Sequence, residues 1–307
     1  MSNPHSSTPA QRHNVPGTAR FVRSLRFLAR VRGWERLASF LAPPGQSGDF
    51  VVSNAKGVFA GTLASFIERR LYLFGGYEDE YLDLFRSFFR DRKRRIILDI
   101  GGNIGTHSIA FARDFESVHS FEPNPSLWPR FLGNVALSQL GNIRLHKTGL
   151  GDKAGELPFY LTANGNEGLG TVAALEQYDT PLVASGTVPI RCGDEVVATE
   201  KLAGIDAIKI DVQGFEGEVL AGLQATLLQH RPVVWMEVGA GTKTRLESAT
   251  LLRARFPYPV QIFRFECTSH FPVARHSLCL ASGEDLPTAD YLIVPLAGAT
   301  TEPAWPS

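Results

Sequence analysis

Nowhere in these 307 residues does an apolar run approach the ~18 residues that would span a bilayer, and the polar start carries no signal-peptide core. A cytoplasmic protein is expected. Cysteine is scarce: Cys192, Cys267 and Cys279 lie far apart without C-x-x-C spacing. That argues against a zinc knuckle or a disulfide framework and leaves them as small hydrophobes in a reducing compartment. Net charge is lacking too. The 31 Lys plus Arg balance 31 Asp plus Glu, so no global field draws nucleic acid, and no nucleic-acid partner is expected. What is present, 44% hydrophobic and 20% charged residues, suits a globular chain with a sizeable core, and one α/β enzyme domain accommodates most of it.

The most informative stretch is IILDIGGNIGTHSIAFARDFESVHSFE, residues 96–122. Ile96 to Ile100 is apolar and β-branched, as in a parallel strand buried on both faces. Gly101, Gly102 and Gly105 then allow a sharp turn and close approach of a ligand. Ile104, Ser108, Phe111 and Phe115 recur at helical spacing, and Val118 to Phe121 makes the next strand with Glu122 at its carboxyl end. In an open α/β sheet, nucleotide-like ligands lie at that end.

A dinucleotide fingerprint would read G-x-G-x-x-G, whereas this chain reads Asp99-x-Gly101-x-Asn103-x-Gly105. A carboxylate ahead of the first glycine repels phosphate and suits a cationic amino-acid end, which favours S-adenosylmethionine over a nicotinamide cofactor. Glu122 serves either reading, since its two oxygens accept from a ribose diol. The bland alternative is an ordinary strand-to-helix turn in which Asp99 caps the helix.

Around this unit the chain divides into an extension over residues 1–49, a main domain over 50–298 with an insertion at 152–204, and a tail at 299–307. Residues 1–19 are polar and proline-bearing, with little to bury, and are expected to be mobile. Residues 20–42 read as a basic amphipathic helix interrupted at Gly33, with Phe27, Val31, Trp34 and Leu41 on one stripe and Arg23, Arg26 and Arg30 on another. Residues 1–40 hold seven arginines and one glutamate, 7 − 1 = +6, in a chain otherwise acidic by the same amount. Two readings stand: a helix docked on the domain with a solvated basic face, or a peripheral contact with an anionic membrane or an acidic partner.

Residues 50–74 suggest a hairpin and a helix, residues 78–93 a helix with acids early and bases late, and residues 126–140 a helix with Ser126 as candidate cap. Within the insertion, LPFYLT and VPIRCG read as strands around NGNEGLGT, a glycine-rich stretch that suits a lid or a plain connection. IDAIKID and PVVWMEV read as buried strands that bring Asp211 and Glu237 to the same rim as Glu122. Val219, Leu220, Leu223 and Leu227 give the helix between them its inner stripe, and QIFRFEC with YLIVPL forms a closing antiparallel pair.

Three ordered motifs, DIGGNIGTHSIAFA, FEPNP and IKIDVQGFEGEVLAGL, with Gly76-Tyr77-Glu78 upstream, resemble the FkbM family of S-adenosylmethionine-dependent methyltransferases over about Phe74 to Trp235. The resemblance implies an α/β Rossmann-like class I methyltransferase fold: a mostly parallel seven-stranded sheet with an antiparallel closing strand and helices on both faces, here with an N-terminal helical extension. It also implies O-methylation of a hydroxyl on a sugar, glycolipid or other secondary metabolite. Gly102 stands where the family often has alanine, and Gln213 where it often has glutamate, which removes one carboxylate.

Asp99, Gly101, Gly102, Asn103, Gly105 and Glu122 are the expected cofactor contacts. Asp211, then Glu237, then His107 are the candidates to take or orient the hydroxyl proton. Asp211 and Glu237 sharing a divalent cation stays open, although no spacing demands a metal. A non-catalytic cofactor- or partner-binding module is the rival reading. The acceptor and the oligomeric state are not written in the sequence.

Overall fold

A computed structural model of the chain describes residues 14–29, 31, 33–162, 170–172, 181–243, 246, 248–270, 273–281 and 283–296. Helix α1 (Gly17–Ser24), a 3₁₀ turn (Arg26–Leu28) and α2 (Trp34–Leu41) precede the hairpin β1 (Asp49–Ser53) and β2 (Val58–Thr62), then α3 (Phe66–Phe74) and α4 (Asp79–Phe88). The central alternation follows as β3 (Ile96–Ile100), α5 (Thr106–Phe111), β4 (Ser117–Phe121), α6 (Trp128–Leu137) and β5 (Ile143–His146). Strand β6 (Gly149–Gly151) leads into the insertion, which contributes β7 (Gly155–Thr162), β8 (Leu182–Cys192) and α7 (Gly193–Thr199). Then come β9 (Ile205–Ile210), α8 (Glu216–Ala221), α9 (Gln224–His230), β10 (Val233–Val238), α10 (Ala240–Lys243) and α11 (Ala249–Arg253). Strands β11 (Val260–His270), β12 (Val273–Leu280) and β13 (Ala289–Pro295) close the chain.

The main sheet runs β12-β11-β13-β10-β9-β3-β4-β5. Strands β10, β9, β3, β4 and β5 are parallel, and β13, β11 and β12 are antiparallel. The order reverses between β3 and β9, which opens a crevice at their carboxyl ends. The α/β class is as expected. Among the described residues the sheet has eight strands where seven were expected, because Val273–Leu280 folds back on β11 as a hairpin partner.

Period-two alternation sorts the two cores. Leu98, Ile100, Ile208, Ile210, Val234 and Met236 face α8 and α9, while Ile97, Val118, Ala207, Val233 and Trp235 face Leu82 and Phe85 of α4 and Phe111 of α5. The same alternation puts Asp99 and Lys209, paired across β3 and β9, on the second face, with Glu237 and Asp290 paired across β10 and β13. Polar groups on four adjacent strands therefore gather at one corner of an otherwise apolar layer.

Several expectations are corrected. The single helix carrying Val219 to Leu227 is two, α8 and α9, because Asp194 enters between them: its N–H donates to the Gly222 carbonyl at 2.7 Å and its carboxylate accepts from the Ala225 and Thr226 N–H groups at 2.9 and 2.8 Å. Ser126 does not cap α6: Leu127 holds that position, and Ser126 donates to the Asn124 side chain at 2.9 Å. The basic helix of residues 20–42 is broken into α1, the 3₁₀ turn and α2, and its apolar stripe splits, Trp34 going inward and Phe27 outward. Residues 14–19 are partly anchored, with Val15 and Ala19 buried against the domain, while residues 1–13 lie outside the described residues. So do the tail and all of NGNEGLGT except Gly170 and Thr171. The insertion's β7 and β8 pair antiparallel beside β6 in a separate three-stranded sheet. No helix among the described residues is long and apolar enough to cross a membrane.

Candidate active site

The carboxyl ends of β10, β9, β3 and β4 frame one cavity, lined by Glu237, Asp211, Gly101 and Glu122 in that order across the sheet, with Asn103 and His107 from the turn and helix after β3. Gly101 takes φ +93° and its α-carbon abuts the Asp211 carbonyl so closely that a Cβ would sit 1.8 Å from that oxygen. Only glycine lets β3 and β9 end this close together.

On the β4 side, Glu122 is buried, its Oε2 accepting from the Asn103 N–H and its Oε1 from the Asn124 N–H, each at 2.8 Å. Asn103 turns that N–H toward it by adopting the left-handed region, φ +50°. Each carboxylate oxygen keeps a lone pair, so the group is fixed and still able to accept from a diol. Burial pushes its carboxyl up to about 7, against the pull of the two backbone donors.

On the β9 side, Gln213 bridges two acids. Its Nε2 donates to Asp211 Oδ1 at 3.0 Å and to Glu237 Oε2 at 2.9 Å. Lys209, almost wholly buried, places Nζ 3.0 Å from Asp211 Oδ2 and 5.7 Å from the Trp235 ring centroid. Burial works to protonate Asp211, but the Lys209 charge and its hydrogen bonds overcome it and hold the carboxyl well below the usual carboxylate range. Glu237 moves the other way. The Asp211 charge, helped by burial, raises its carboxyl well above the ordinary value, which biases the pair toward sharing one negative charge.

Behind this pair, His107 Nε2 stands 3.1 Å from Glu78 Oε2, and its ring meets Trp235 edge-on at 5.3 Å. Burial tends to raise the Glu78 carboxyl, yet His107 and Lys209 bring it below its ordinary value. Asp290, held by the Trp235 indole N–H at 2.7 Å, is pushed by burial up to about 7.

The structure thus brings Gly101, Asn103, Glu122, Asp211, Glu237 and His107 to one cavity, and it relocates the other three expected contacts. Asp99 is not on the cavity wall. Sharing the face of Ile97, it is fully buried, accepts from Ser108 Oγ at 2.5 Å, and has its carboxyl raised by burial against the pull of Lys209 and His107. Gly102 and Gly105 lie under the turn against Ser120 and Phe131. Asp211 and Glu237, left open as a shared cation site, are joined by an amide instead. Among the described residues no group of three or more His, Cys, Asp or Glu side chains is arranged to hold a metal ion.

Two participants are absent from the sequence reading: Lys209, signalled by a lysine inside an otherwise apolar strand, and Thr171, whose hydroxyl donates to the Gln213 carbonyl at 2.9 Å and which has no signal. Gln213, noted there only as the loss of a carboxylate, proves to be the bridge between two others.

The amide at position 213 supports a prediction. In Gln213→Glu the new carboxyl must keep a proton to donate to even one of the two acids and to avoid a third charge beside them, so its folded-state pKa lies above the unfolded value of about 4.3. Such a group leaves stability intact below that value and removes it as pH rises, by about 1.4 kcal/mol per pH unit until the site ionises. Thermal melts from pH 5 to 8.5 should show the variant matching wild type at the acid end and falling behind toward the alkaline end. A constant difference across that range would contradict the bridging role.

Residues 99–251 match the methyltransferase FkbM domain. The hexuronic acid methyltransferase AglP of Haloferax volcanii is 28% identical over 163 residues, 52% of this chain and 62% of that protein. Methyltransferase 1 of Beauveria bassiana is 28% identical over 146 residues, 41% of this chain and 57% of that protein. The chain therefore spans about three-fifths of the length of these relatives. A crystal structure of methyltransferase FkbM from Methylobacillus flagellatus KT is similar at TM-score 0.43 and 15% identity, covering 90% of this chain and 58% of that one. Residues 99–251, just under half of the chain and most of the cavity's lining, are those of the FkbM methyltransferase family.

Proposed function

We propose that the protein is a cytoplasmic S-adenosylmethionine-dependent O-methyltransferase whose acceptor is a hydroxyl on a sugar or sugar acid. The observation that carries the reading is the single cavity in which Glu122 stands on one side of the β3 turn and the Asp211–Gln213–Glu237 bridge on the other. The donor set fits: an anchored carboxylate for a ribose diol, and an acidic wall for a cationic amino-acid and sulfonium end. The sugar-acid acceptor is supported by the name of the Haloferax relative alone.

When bound, S-adenosylmethionine supplies a methyl carbon on a cationic sulfur that a hydroxyl oxygen displaces in line. The chain's residues supply position and proton traffic. Lys209 balances one negative charge of the acidic pair, and the Asp211 charge biases Glu237 toward its protonated form before the cofactor binds. A second positive charge beside the pair favours release of that proton, which leaves Glu237 free to accept from the acceptor hydroxyl. Once the cation is neutralised by methyl transfer, the proton affinity of Glu237 rises again and the hydroxyl proton stays on it. His107, tied to Glu78 and packed on Trp235, holds the wall of the cavity.

Titration calorimetry in buffers of differing ionisation enthalpy tests this. S-adenosylmethionine should release more protons on binding at pH 7 than S-adenosylhomocysteine, which has the same ribose but no sulfonium charge. Equal release by both would overturn the proton account, and no heat from either would overturn the cofactor. Transfer of labelled methyl to a panel of uronic-acid and neutral glycans reads the acceptor.

A further inference from the structure

The exposed apolar side chains of the N-terminal elements have no part in the site. Phe21 of α1 is 57% exposed, Phe27 of the 3₁₀ turn 73% and Phe40 of α2 82%, while Ala19, Val22, Trp34 and Ala38 of the same elements are buried. The two helices thus spend their small or inward residues on packing, and all three elements present a phenylalanine to solvent. That inverts the usual economy of a surface helix.

Charge accompanies this face. Arg20, Arg23 and Arg26 converge on one groove floored by Phe50 and Tyr72. Arg23 is half-buried there, its guanidinium 4.8 Å from the Tyr72 ring centroid and donating to the Tyr72 carbonyl at 2.5 Å. Arg20 and Arg26 are exposed. The groove is cationic, and no carboxylate among the described residues lines it.

The face also continues to the cavity. Arg70 of α3 pairs with Glu35 of α2 at 2.6 Å and lies 5.8 Å from the Phe66 ring centroid, and Phe66, 50% exposed, lines the cavity mouth. Helix α1 packs on both α2 and α3, so the three helices form one layer beside that mouth.

We propose that this layer is a peripheral membrane-docking surface: the Arg20–Arg23–Arg26 groove takes the phosphates of anionic lipids while Phe21, Phe27 and Phe40 enter the interface. Aromatic rings with arginines beside them are the composition that binds an anionic leaflet, and clustered arginine suits phosphate. The surface stands independently of the reaction; resting on the reading of the preceding section, its place beside the mouth points to an acceptor glycan carried on a lipid.

Co-sedimentation of the full chain with vesicles tests it, using phosphatidylcholine alone and phosphatidylcholine with about one-third phosphatidylglycerol. Binding should be at least about tenfold stronger to the anionic vesicles and should weaken with added salt. The double variant Arg20→Ala/Arg26→Ala should lose about 10- to 30-fold, and Phe27→Ser/Phe40→Ser about tenfold or more. Because these four side chains are already exposed, the variants should melt with wild type and give unchanged S-adenosylhomocysteine calorimetry, which separates this proposal from the catalytic one. Equal binding to both vesicle types, no binding to either, or loss with arginine but not phenylalanine substitution would overturn it. The last outcome, with capture by polyglutamate, would assign the face to an acidic protein instead.

Discussion

Asp211→Asn is expected to slow methyl transfer by about 10²- to 10⁴-fold, the scale of a lost proton acceptor, while cofactor affinity changes by less than about tenfold. Asp211 is the ionised member of the acidic pair, and its charge is the largest influence keeping the Glu237 carboxyl protonated. Asparagine keeps the shape of the Gln213 bridge but removes that charge. Glu237 then falls toward an ordinary carboxylate, is biased toward its ionised form before the cofactor binds, and loses part of the proton affinity that would capture the hydroxyl proton. The two acids act as a unit, so their losses should not add. Glu237→Gln should cost a similar factor, and the double variant should be no slower than the worse single one. Single-turnover rates with saturating cofactor give the comparison. Multiplicative losses, or an Asp211→Asn enzyme within about threefold of wild type, would remove the pair from proton transfer.

The parts of the molecule that were legible in the sequence are those where one local rule decides the outcome. Glycines 101 and 105 between a β-branched run and a helical stripe leave little but a strand, a turn and a helix, and Glu122 follows because the next strand ends there. The rim position of Asp211 and Glu237 needed only two apolar runs in register. Asp99 was misplaced because its neighbourhood in sequence is the glycine turn, whereas its direction is set by alternation: it shares a face with Ile97, so it points behind the turn toward Lys209 and Ser108. Strand β12 was missed because VARHSLCL interleaves polar and apolar residues on a half-covered edge, and only its pairing with β11 makes it a strand. The break between α8 and α9 is made by Asp194, some thirty residues earlier in the chain, which bonds the Gly222 carbonyl and caps the first turn of α9, and nothing local announces it. In the N-terminal elements, helical spacing was read across Gly33, which instead takes φ +84° and restarts the helix with Trp34 inward.

The largest effect on stability is expected at Lys209. Replacement by Met keeps much of the stem's volume and its contact with Trp235 but removes the cation that three acids share, since Asp211, Asp99 and Glu78 all favour its charged form against the cost of burial. Asp99 is fully buried, and without that cation its carboxyl and that of Asp211 face each other uncompensated. Breaking a buried ion pair from one side costs about 3–5 kcal/mol, or a drop in melting temperature of about 10 °C for a domain of this size. The pH dependence identifies the cause. In the variant, Asp99 and Asp211 have folded-state pKa values raised above their unfolded ones, so their penalty is absent while both are protonated and grows as pH rises through that window. The deficit in Lys209→Met should therefore be largest near pH 8 and shrink toward pH 4 to 5, the region of unperturbed carboxyl pKa values near 4. A deficit independent of pH would mean that Lys209 contributes packing alone. Pairing Lys209→Met with Asp211→Asn makes the final test: removing both charges should recover part of the lost stability without restoring methyl transfer, because the fold needs charge balance at this corner and the reaction needs the charge itself.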